Sequence, residues 1–444
     1  MIERVEELIE KKQYKKAKEE LANVNVVDIA EFLEDVEEKE LIKIFKLIDK
    51  DKAADVFSNL SIEKETELIS LLTDKEAVNL LDEMFADDAA DLIEEMPANV
   101  VKRLLKKCPQ DTRNDINKLL NYPEYSAGSL MTVEFAELKE NLTIEKAIGK
   151  LKKEKEEYET VNTCFVVNIE RKLLGKISLE DIVFAPNDEL IKNIYNDEII
   201  SIKTTDDQEE VANLFKKYDL TVMPVVDSED RLVGIITIDD VVDVLEEEAT
   251  EDIEKMAGIT PTTKSYLKTG VIETWKKRIP WLLLMMLSAT FTGTIIQSYE
   301  SALAGYIILT SFIPMLMGTG GNAGSQASVT VIRGLSLGEI EFEDVLKVVW
   351  KEFKVAIICG ITLAIANFIK LILIDRIEIM VSAVVCLALL FTVILAKIIG
   401  SVLPLIAKKF KLDPAVMASP FITTLVDALS LITYFQIATY LLKI

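Results

Sequence analysis

The chain has no histidine among its 444 residues. Zinc sites of the usual histidine type and acid–base catalysis by histidine are therefore excluded. Its few cysteines are far apart and form no CxxC pair, which is typical of a reducing cytosol and argues against a disulfide framework. The first residues are charged and lack the apolar core of a signal peptide. No P-loop lysine motif is present to indicate ATP hydrolysis, so we do not expect an enzyme.

Basic residues are scarce, and the imbalance lies in one part of the chain. Residues 1–270 carry 36 Lys and Arg against 63 Asp and Glu, whereas residues 271–444 carry 14 against 11. An acidic soluble part is thus followed by a nearly uncharged apolar part. The acidic part would repel phosphate, so nucleic acid is not an expected partner, whereas multivalent cations are favoured. For most single acidic residues, solubility alone is the simpler interpretation.

Five apolar segments are long enough to cross about 30 Å of hydrocarbon. They are residues 279–299, a segment within 301–332, residues 355–374, residues 379 to about 404, and residues 414–442. The strongly basic connections all fall on the side of the N-terminal part, and the outer loop has only Arg376, which predicts a multi-pass cell-membrane protein with its N-terminus inside and its C-terminus outside. An odd number of spans cannot form an internal pair of inverted repeats. A homodimer with a pore between protomers is one natural solution.

Asp427 is the only charge in residues 414–442. A carboxylate at mid-membrane costs about 2.5–3.5 kcal/mol on insertion scales and usually faces water or a partner. Its helical face also carries other polar residues, namely Ser419, Thr423, Ser430 and Tyr434. This stripe predicts a cation pathway, because hard divalent cations prefer oxygen ligands. The alternative is a structural aspartate paired with Lys370 or Lys397.

The second apolar segment ends in a stretch rich in glycine and polar residues. It contains Gly318, Gly320, Gly321 and Gly324 together with Asn322, Ser325, Gln326 and Ser328. Glycines at this density permit close helix packing or exposed backbone carbonyls. Packing alone is one interpretation. Polar side chains at membrane depth favour a second, in which Gly321 and Asn322 line a pore.

The acidic part contains a repeat with an offset of 59 residues, in which residues 168–183 match residues 227–242. Each copy is predicted to form strand, turn, strand and helix, preceded by a helix at 144–153 or 208–218. The pattern resembles a tandem pair of CBS domains, through Gly175-x-x-Ser178-x-x-Asp181 and Gly234-x-x-Thr237-x-x-Asp240. The resemblance implies that Ser178 and Asp181 bind an adenine nucleotide such as ATP, although many CBS pairs bind none.

A second repeat, with an offset of 36 residues, matches Asp51–Ser61 to Asp87–Pro97 within a region that is helical in pattern. Acidic side chains cluster here and around the end of the CBS pair. Facing clusters of this kind would meet only with cations between them. The predicted metal ligands, besides Asp427, are Asp55, Asp87, Asp91, Asp240, Asp243, Glu248, Glu251 and Asp252.

The order of these parts resembles the MgtE family of Mg²⁺ channels. The most specific matches are Pro314 with the run from Gly318 to Gln326, and Asp413-Pro414, Pro420 and Thr424 to Asp427. The implied architecture is multidomain: an all-α acidic domain (1–121), an α/β tandem CBS pair (122–248), a linker with a plug helix at 267–277 (249–277) and a five-helix transmembrane pore domain (278–444).

This resemblance implies a homodimeric channel for Mg²⁺ uptake, in which Asp427 is the central ligand on the dimer axis and Thr423 and Ser419 complete the pore site. Cytosolic Mg²⁺ between the acidic domains would close the pore, and ATP would tune that response. Two alternatives stay open at this point. One is a secondary carrier for divalent cations such as Mg²⁺, Co²⁺ or Mn²⁺, and the other is a membrane-anchored cation sensor.

Overall fold

The computed structural model describes residues 2–262, 266–267, 269–417 and 419–443. Its contacts divide the chain into two compact units, Met1–Leu245 and Glu246–Ile444. The first unit holds the acidic helices and the CBS pair, and the second holds the apolar helices. Each is described by itself below.

Short helices build the first part of unit one. Several begin at a side chain that accepts a backbone hydrogen bond, as at Asn25, Ser61 and Thr73. They bury one apolar face each, which places Leu33, Phe57 and similar side chains in a common core. The helices are α1 (Ile2–Glu10), α2 (Tyr14–Leu21), α3 (Val26–Glu34), α4 (Glu38–Phe45), α5 (Lys50–Ser58), α6 (Ile62–Leu71), α7 (Asp74–Glu83), α8 (Ala86–Glu95), α9 (Ala98–Leu105) and α10 (Gln110–Leu119).

Two small sheets with flanking helices follow. Their elements are α11 (Ala127–Leu130), β1 (Phe135–Lys139), α12 (Ile144–Lys153), β2 (Thr160–Val167), β3 (Leu173–Ser178), α13 (Leu179–Phe184), β4 (Ile202–Lys203), α14 (Gln208–Tyr218), β5 (Val222–Val226), β6 (Leu232–Thr237) and α15 (Ile238–Met256). In each sheet a parallel pair is extended by an antiparallel strand. The strand order is β1-β2-β3 in one sheet and β4-β5-β6 in the other.

The predicted repeat is confirmed down to its register. Thr163 lies opposite Ser178 in the first sheet, and Val222 lies opposite Thr237 in the second, which keeps the offset of 59. The two predicted preceding helices are α12 and α14, with the predicted bounds. The offset of 36 also recurs, because it carries the start of α5 onto the start of α8.

Long apolar helices make up unit two. They are α16 (Val271–Ser298), α17 (Glu300–Gly305), α18 (Ile313–Ser336), α19 (Val345–Leu373), α20 (Ile379–Lys409) and α21 (Ser419–Leu442). Within the described residues, four helical segments are long and apolar enough to cross a membrane: Val271–Ser298, Phe342–Leu373, Ile379–Lys409 and Ala415–Leu442. Helix α18 is not among these four. The count of five spans therefore stays a prediction.

Three details differ from the sequence-based expectation. The predicted linking helix at 267–277 begins only at Val271, after Gly270, and continues without a break into the first span; residues 263–265 and 268 lie outside the described residues. The second apolar segment divides into α17, a 3-10 helix (Ile307–Phe312) and α18, whose first turn holds Pro314. Helix α20 continues through Pro404 to Lys409, and membrane helices tolerate a proline at such an internal position.

The apolar helices pack closely where glycine removes the side chain. A Cβ on Gly400 of α20 would lie 2.2 Å from the carbonyl oxygen of Gly324 on α18, so the two backbones cross in direct contact. Helices α18, α20 and α21 surround a core that includes Leu316, Leu389 and Leu431. This core places the polar groups of α18 and α21 next to each other.

Candidate functional site

Asp427 lies in the middle of α21, and its side chain is half-buried. Its Oδ1 atom is buried without a hydrogen-bond partner among the described residues. An unpaired carboxylate oxygen within an apolar bundle is costly unless water or a cation reaches it. The Asp427 carboxylate is therefore suited to bind a cation.

The alternative of a structural ion pair is not supported by the positions of the lysines. Lys397 forms an ion pair with Glu352 of α19 at 3.6 Å, and both side chains are buried. Lys370 pairs with Asp375 at 2.9 Å near the end of α19. Neither lysine is the partner of Asp427 in this arrangement.

The predicted polar stripe on α21 divides into different environments. Tyr434 is fully buried and donates its hydroxyl to the carbonyl of Leu309 at 3.0 Å, which is a packing role. Ser430 is also fully buried, with no partner for its Oγ among the described residues. Thr423 is half-buried and lies against Gly321, whose Cβ would be 3.5 Å from its methyl group. The side chain of Ser419 lies outside the described part of the chain.

Helix α18 has a buried glycine face and an exposed polar face. Gly320 and Gly324 pack against α21. A Cβ on Gly320 would lie 2.8 Å from Val426, and a Cβ on Gly324 would lie 2.6 Å from Ile422, so neither position has space for a side chain. The packing interpretation therefore holds for these two glycines. The other face, exposed in the single chain, has four residues spaced by four: Gly318, Asn322, Gln326 and Thr330. Such a polar face at membrane depth needs water or another protein surface.

The acidic residues of unit one converge between α8 and the second CBS sheet. Asp87 is half-buried, and its Oδ1 atom is buried with no hydrogen-bond partner among the described residues. Burial, followed by the charge of Asp240, raises the pKa of Asp87 well above its usual range. Burial also raises the pKa of Asp240 to about 6, although Thr237 donates a hydrogen bond to it at 2.8 Å. The fold thus brings Asp87 of the acidic helices and Asp240 of the CBS pair close enough for their charges to interact.

Other acids extend this cluster. Burial raises the pKa of Asp88, and the charges of Asp239 and Asp55 add to that increase. Asp55 is itself exposed, as are Asp91 and Asp243. These three acids lie at the surface of unit one, where a hydrated cation could approach them.

Two members of the cluster were missed by the sequence argument. The carboxylate of Glu134 accepts a hydrogen bond from the Ala86 amide at 3.2 Å at the start of α8, and burial raises its pKa. Burial, followed by the charge of Asp239, raises the pKa of Glu159 to about 7. Both precede strands of the first CBS copy. No run of acids marks Glu134, and Glu159 ends the glutamate-rich stretch 154–159, which the sequence argument did not single out. Only the packing of the two domains places them here.

A second group of acids lies in unit two. Lys255 donates to Asp413 at 2.6 Å and forms an ion pair with Glu251, so it links the end of α15 to the segment before α21. Burial, followed by the charge of Asp413, raises the pKa of Asp252. Glu248 is half-buried one turn before Glu251. Asp413 was noted in the sequence only as part of a motif.

Neither group is a completed metal site. Within the ranges that the structure describes, no three acidic or cysteine side chains converge in the manner of a preformed metal site. The oxygen of Asp87 that lacks a partner among the described residues and the raised pKa values nevertheless indicate carboxylates whose charged form a divalent cation would stabilise.

The predicted nucleotide residues are at the start of α13. Ser178 donates its hydroxyl to Asp181 at 2.6 Å and accepts the Asp181 amide at 3.0 Å, which forms a capping box. Thr237 and Asp240 form the same side-chain bond in the second copy. Asp181 is exposed, whereas Asp240 lies in the acidic cluster. The two copies thus share this side-chain hydrogen bond and differ in what the acid faces.

Comparison with known proteins agrees with this order of parts. Family profiles match the "MgtE intracellular N domain" at residues 24–125, the CBS domain at 127–188 and 191–247, and the "Divalent cation transporter" MgtE at 313–437. The magnesium transporter MgtE of Thermus thermophilus is 35% identical over 336 residues, covering 75% of this chain and 73% of that protein. The chain belongs to the MgtE family.

Other MgtE proteins show similar likeness. The magnesium transporter MgtE of Bacillus subtilis is 36% identical over 73% of this chain and 71% of its own. MgtE of Enterococcus faecalis is 33% identical over 74% of this chain and 72% of its own. The fold class predicted from the sequence, a helical domain followed by a CBS pair and apolar helices, is that of the MgtE family.

Two solved structures resemble the soluble part of the chain. A structure of the soluble part of a magnesium transporter has a TM-score of 0.52 and 30% identity, covering 55% of this chain and 96% of its own. The cytosolic domain of the Mg²⁺ channel MgtE in complex with ATP has a TM-score of 0.52 and 34% identity, covering 54% and 98%. The MgtE N domain and CBS pair are therefore recognisable in three dimensions.

Proposed function

We propose that the protein is a Mg²⁺-selective channel that mediates Mg²⁺ uptake down its electrochemical gradient. The observation that carries this proposal is the Asp427 carboxylate, which is half-buried at the centre of α21 with an oxygen that has no partner among the described residues. Membership of a family of magnesium transporters gives the cargo. We assign the protein a role in cation passage and no catalytic step.

The pore of this proposal uses polar faces of α18 and α21. Asp427 would bind the ion, with Thr423 and Ser419 toward the start of α21 and with Gly321 and Asn322 on α18. Mg²⁺ loses its water reluctantly and is commonly held by one or two carboxylates together with water. Two copies of Asp427 across a dimer axis, with hydroxyl and amide groups around them, would suit a largely hydrated ion.

A homodimer in the cell membrane is part of the same proposal. The exposed polar face of α18 supports it, because a second protomer would cover that face and enclose water next to it. We place the N-terminal domains in the cytoplasm and the C-terminus outside, from the basic connections. Five spans, including α18, give that topology.

The proposal includes regulation, in which cytosolic Mg²⁺ gates the pore. At high Mg²⁺, ions would screen Asp87, Asp240 and their neighbours and would bind near Glu251 and Asp252, which favours a closed pore with residues 267–277 as its plug. At low Mg²⁺ the carboxylates would repel one another. A change from mostly open to mostly closed needs about 5 kcal/mol of differential binding, which several weak sites can supply together.

ATP is proposed as a second regulator of the CBS pair. A relative at 34% identity is described as a complex with ATP. In this chain Ser178 and the exposed Asp181 lie at the start of a helix, where ribose hydroxyls could replace their mutual hydrogen bond. Nucleotide binding would then alter the Mg²⁺ concentration that closes the pore.

Flux through the purified protein in liposomes tests the function. We expect Mg²⁺ entry, read by an enclosed Mg²⁺ indicator, to fall to background in Asp427→Asn, because the amide keeps the shape and removes the charge. The matched control is Asp375→Asn, which removes a carboxylate paired with Lys370 away from the proposed pore. This control should transport Mg²⁺ at the wild-type rate.

The same preparation separates the alternatives. Unitary currents at low Mg²⁺ are expected for a channel, whereas saturable flux with fixed stoichiometry and no unitary currents would identify a carrier. Mg²⁺ entry that is unchanged in Asp427→Asn would contradict the proposed pore. Absence of entry in the wild-type protein, with Mg²⁺ binding retained, would identify a sensor.

A further inference from the structure

Helix α19 is longer than the apolar segment that it contains. That segment begins at residue 355, whereas the helix begins at Val345, on the side that we place in the cytoplasm. The additional turns, residues 345–354, add about 15 Å of helix. The polar headgroup layer is only about 5–8 Å thick on each side of a bilayer. The first turns of α19 therefore pass through the lipid headgroups.

One face of α19 is exposed in the single chain. Its side chains recur every three or four residues, which places them on one side of the helix. In order they are Lys347, Trp350, Lys354, Ile358, Ile361 and Ile365. Glu352, Ala356 and Gly360 are buried on the other side, where Gly360 lies against Leu390 of α20. The exposed face thus begins with basic and aromatic side chains and continues with isoleucines, as expected where headgroups give way to acyl chains.

The exposed charges of this helix all have the same sign. Glu352 is the only acid of α19, and it is buried in an ion pair with Lys397. Lys347 pairs with the aspartate that precedes the helix, at 2.6 Å. Lys351 and Lys354 are exposed and form no ion pair within the part of the chain that the structure describes. Two positive charges at headgroup depth therefore lack a counter-charge from the chain.

An exposed tryptophan lies next to these lysines. Trp350 is 60% exposed, and its ring stacks on Phe353 with the centroids 5.7 Å apart. The ammonium group of Lys354 lies 5.7 Å from the centroid of the Trp350 ring, a cation–π contact. Trp350 precedes residue 355 by about 7 Å of helix. Tryptophan is enriched at this depth, because its ring is apolar and its N–H group needs a polar partner.

We propose that Trp350, Lys351 and Lys354 bind the headgroup of an anionic phospholipid, whose acyl chain lies along the isoleucines that follow on α19. A lipid phosphate accepts hydrogen bonds from ammonium and indole N–H groups and supplies the missing negative charge. Anionic lipids are available in the cytoplasmic leaflet. A second copy of the same face fits less well, because it would bring lysines against lysines. The inference uses the proposed membrane orientation and does not depend on Mg²⁺ passage.

Quenching of Trp350 fluorescence by brominated lipids tests this site. Trp275→Phe with Trp281→Phe leaves Trp350 as the only tryptophan of the full chain. The protein is reconstituted in phosphatidylcholine with increasing fractions of either phosphatidylglycerol or phosphatidylcholine that carries bromine in its acyl chains. One lysine near an anionic lipid surface strengthens binding about fivefold. We therefore expect the two quenching curves to give a relative binding constant that favours phosphatidylglycerol about fivefold or more.

Three variants in this background identify the groups that bind. Lys351→Gln with Lys354→Gln removes both charges and should bring the relative binding constant to about one, whereas Lys351→Arg with Lys354→Arg should keep the preference. The matched control is Lys370→Gln. Lys370 lies on the same helix, about 24 Å from Lys354, and pairs with Asp375. This control should also keep the preference, and all variants should keep their melting temperature in neutral detergent within a few degrees.

Three results would overturn the proposed lipid site. Equal quenching by the two brominated lipids would show that this face meets acyl chains without recognising a headgroup. No quenching by either lipid would show that protein, such as a second copy of the chain, covers Trp350. A preference that survives in Lys351→Gln with Lys354→Gln would assign it to other charges. None of these results bears on transport, whereas full flux in Asp427→Asn would contradict the proposed function and leave the lipid site intact.

Discussion

At the scale of single residues, the first unit keeps some carboxylates in conditions that disfavour their charge. Burial, followed by the charges of Asp88 and Asp91, raises the pKa of Glu65 to about 8. The native state therefore binds more protons than the unfolded state between about pH 4.5 and pH 8. Its unfolding free energy should fall as the pH rises through this window when divalent cations are absent.

Glu65→Gln is expected to remove this pH dependence. The amide has the size of the acid and no charge, so at pH 8 in chelator the unfolding free energy should rise by about 1–3 kcal/mol, while at pH 4.5 it should hardly change. The measurement is urea unfolding of residues 1–245 at the two pH values. An unchanged pH slope would show that Glu65 is not the group that titrates.

Glu76 offers a control in the same domain, because its pKa is shifted in the opposite direction from that of Glu65. Hydrogen bonds from Lys46 and then from Thr73 lower the pKa of Glu76 to about 2. A lowered pKa stabilises the fold at all pH values above the usual carboxyl range. Glu76→Gln should therefore lower the unfolding free energy at pH 8, where Glu65→Gln raises it.

At the scale of elements, the sequence predicted the repeats better than the membrane helices. The CBS register follows from alternating apolar residues and a repeated cap, which are local signals, and Thr163–Ser178 and Val222–Thr237 bear it out. The division of the second apolar segment into α17, a 3-10 helix and α18 was not foreseen, because an apolar run carries no periodic signal of its own. The buried oxygens of Asp427 and Ser430, which have no hydrogen-bond partner among the described residues, arise from tertiary packing alone.

The contact between α18 and α20 gives a prediction at this scale. Gly400→Ala places a Cβ 2.2 Å from the carbonyl oxygen of Gly324, and since that atom is backbone the helices must separate. Overpacking of this kind costs about 1–3 kcal/mol. We expect a lower melting temperature in detergent and reduced Mg²⁺ flux.

Gly293→Ala in α16 is the control, because nothing lies within 4 Å of the added carbon and alanine favours a helix. A loss of equal size in this variant would show that the contact between α18 and α20 is not the cause.

At the scale of the whole molecule, the division of charge predicted an acidic soluble part and an apolar part, and the two compact units divide at residue 245 rather than 270. The reason is that α15 begins in the CBS pair and continues into the second unit. This helix carries acids on either side of the division. In the proposed gating, α15 is therefore one route by which a signal could pass from the acidic domains to the pore.

Protease access to α15 measures that signal. If Mg²⁺ draws the acidic groups together, residues 246–258 should be cut by a glutamate-specific protease about tenfold more slowly in millimolar Mg²⁺ than in chelator, with sodium chloride at equal ionic strength as the reference, because cleavage follows the open population. In the Asp87→Asn, Asp240→Asn double variant the repulsion between these two acids is absent, so the rate should depend less on Mg²⁺ than in the wild-type protein. Asp28→Asn with Asp111→Asn removes two charges from exposed positions and should keep the wild-type response. Equal cleavage with and without Mg²⁺ in the wild-type protein would rule out ion-driven compaction, whereas a full response in the Asp87 and Asp240 variant would show that the sensing ions bind at other acids, such as Glu251 and Asp252.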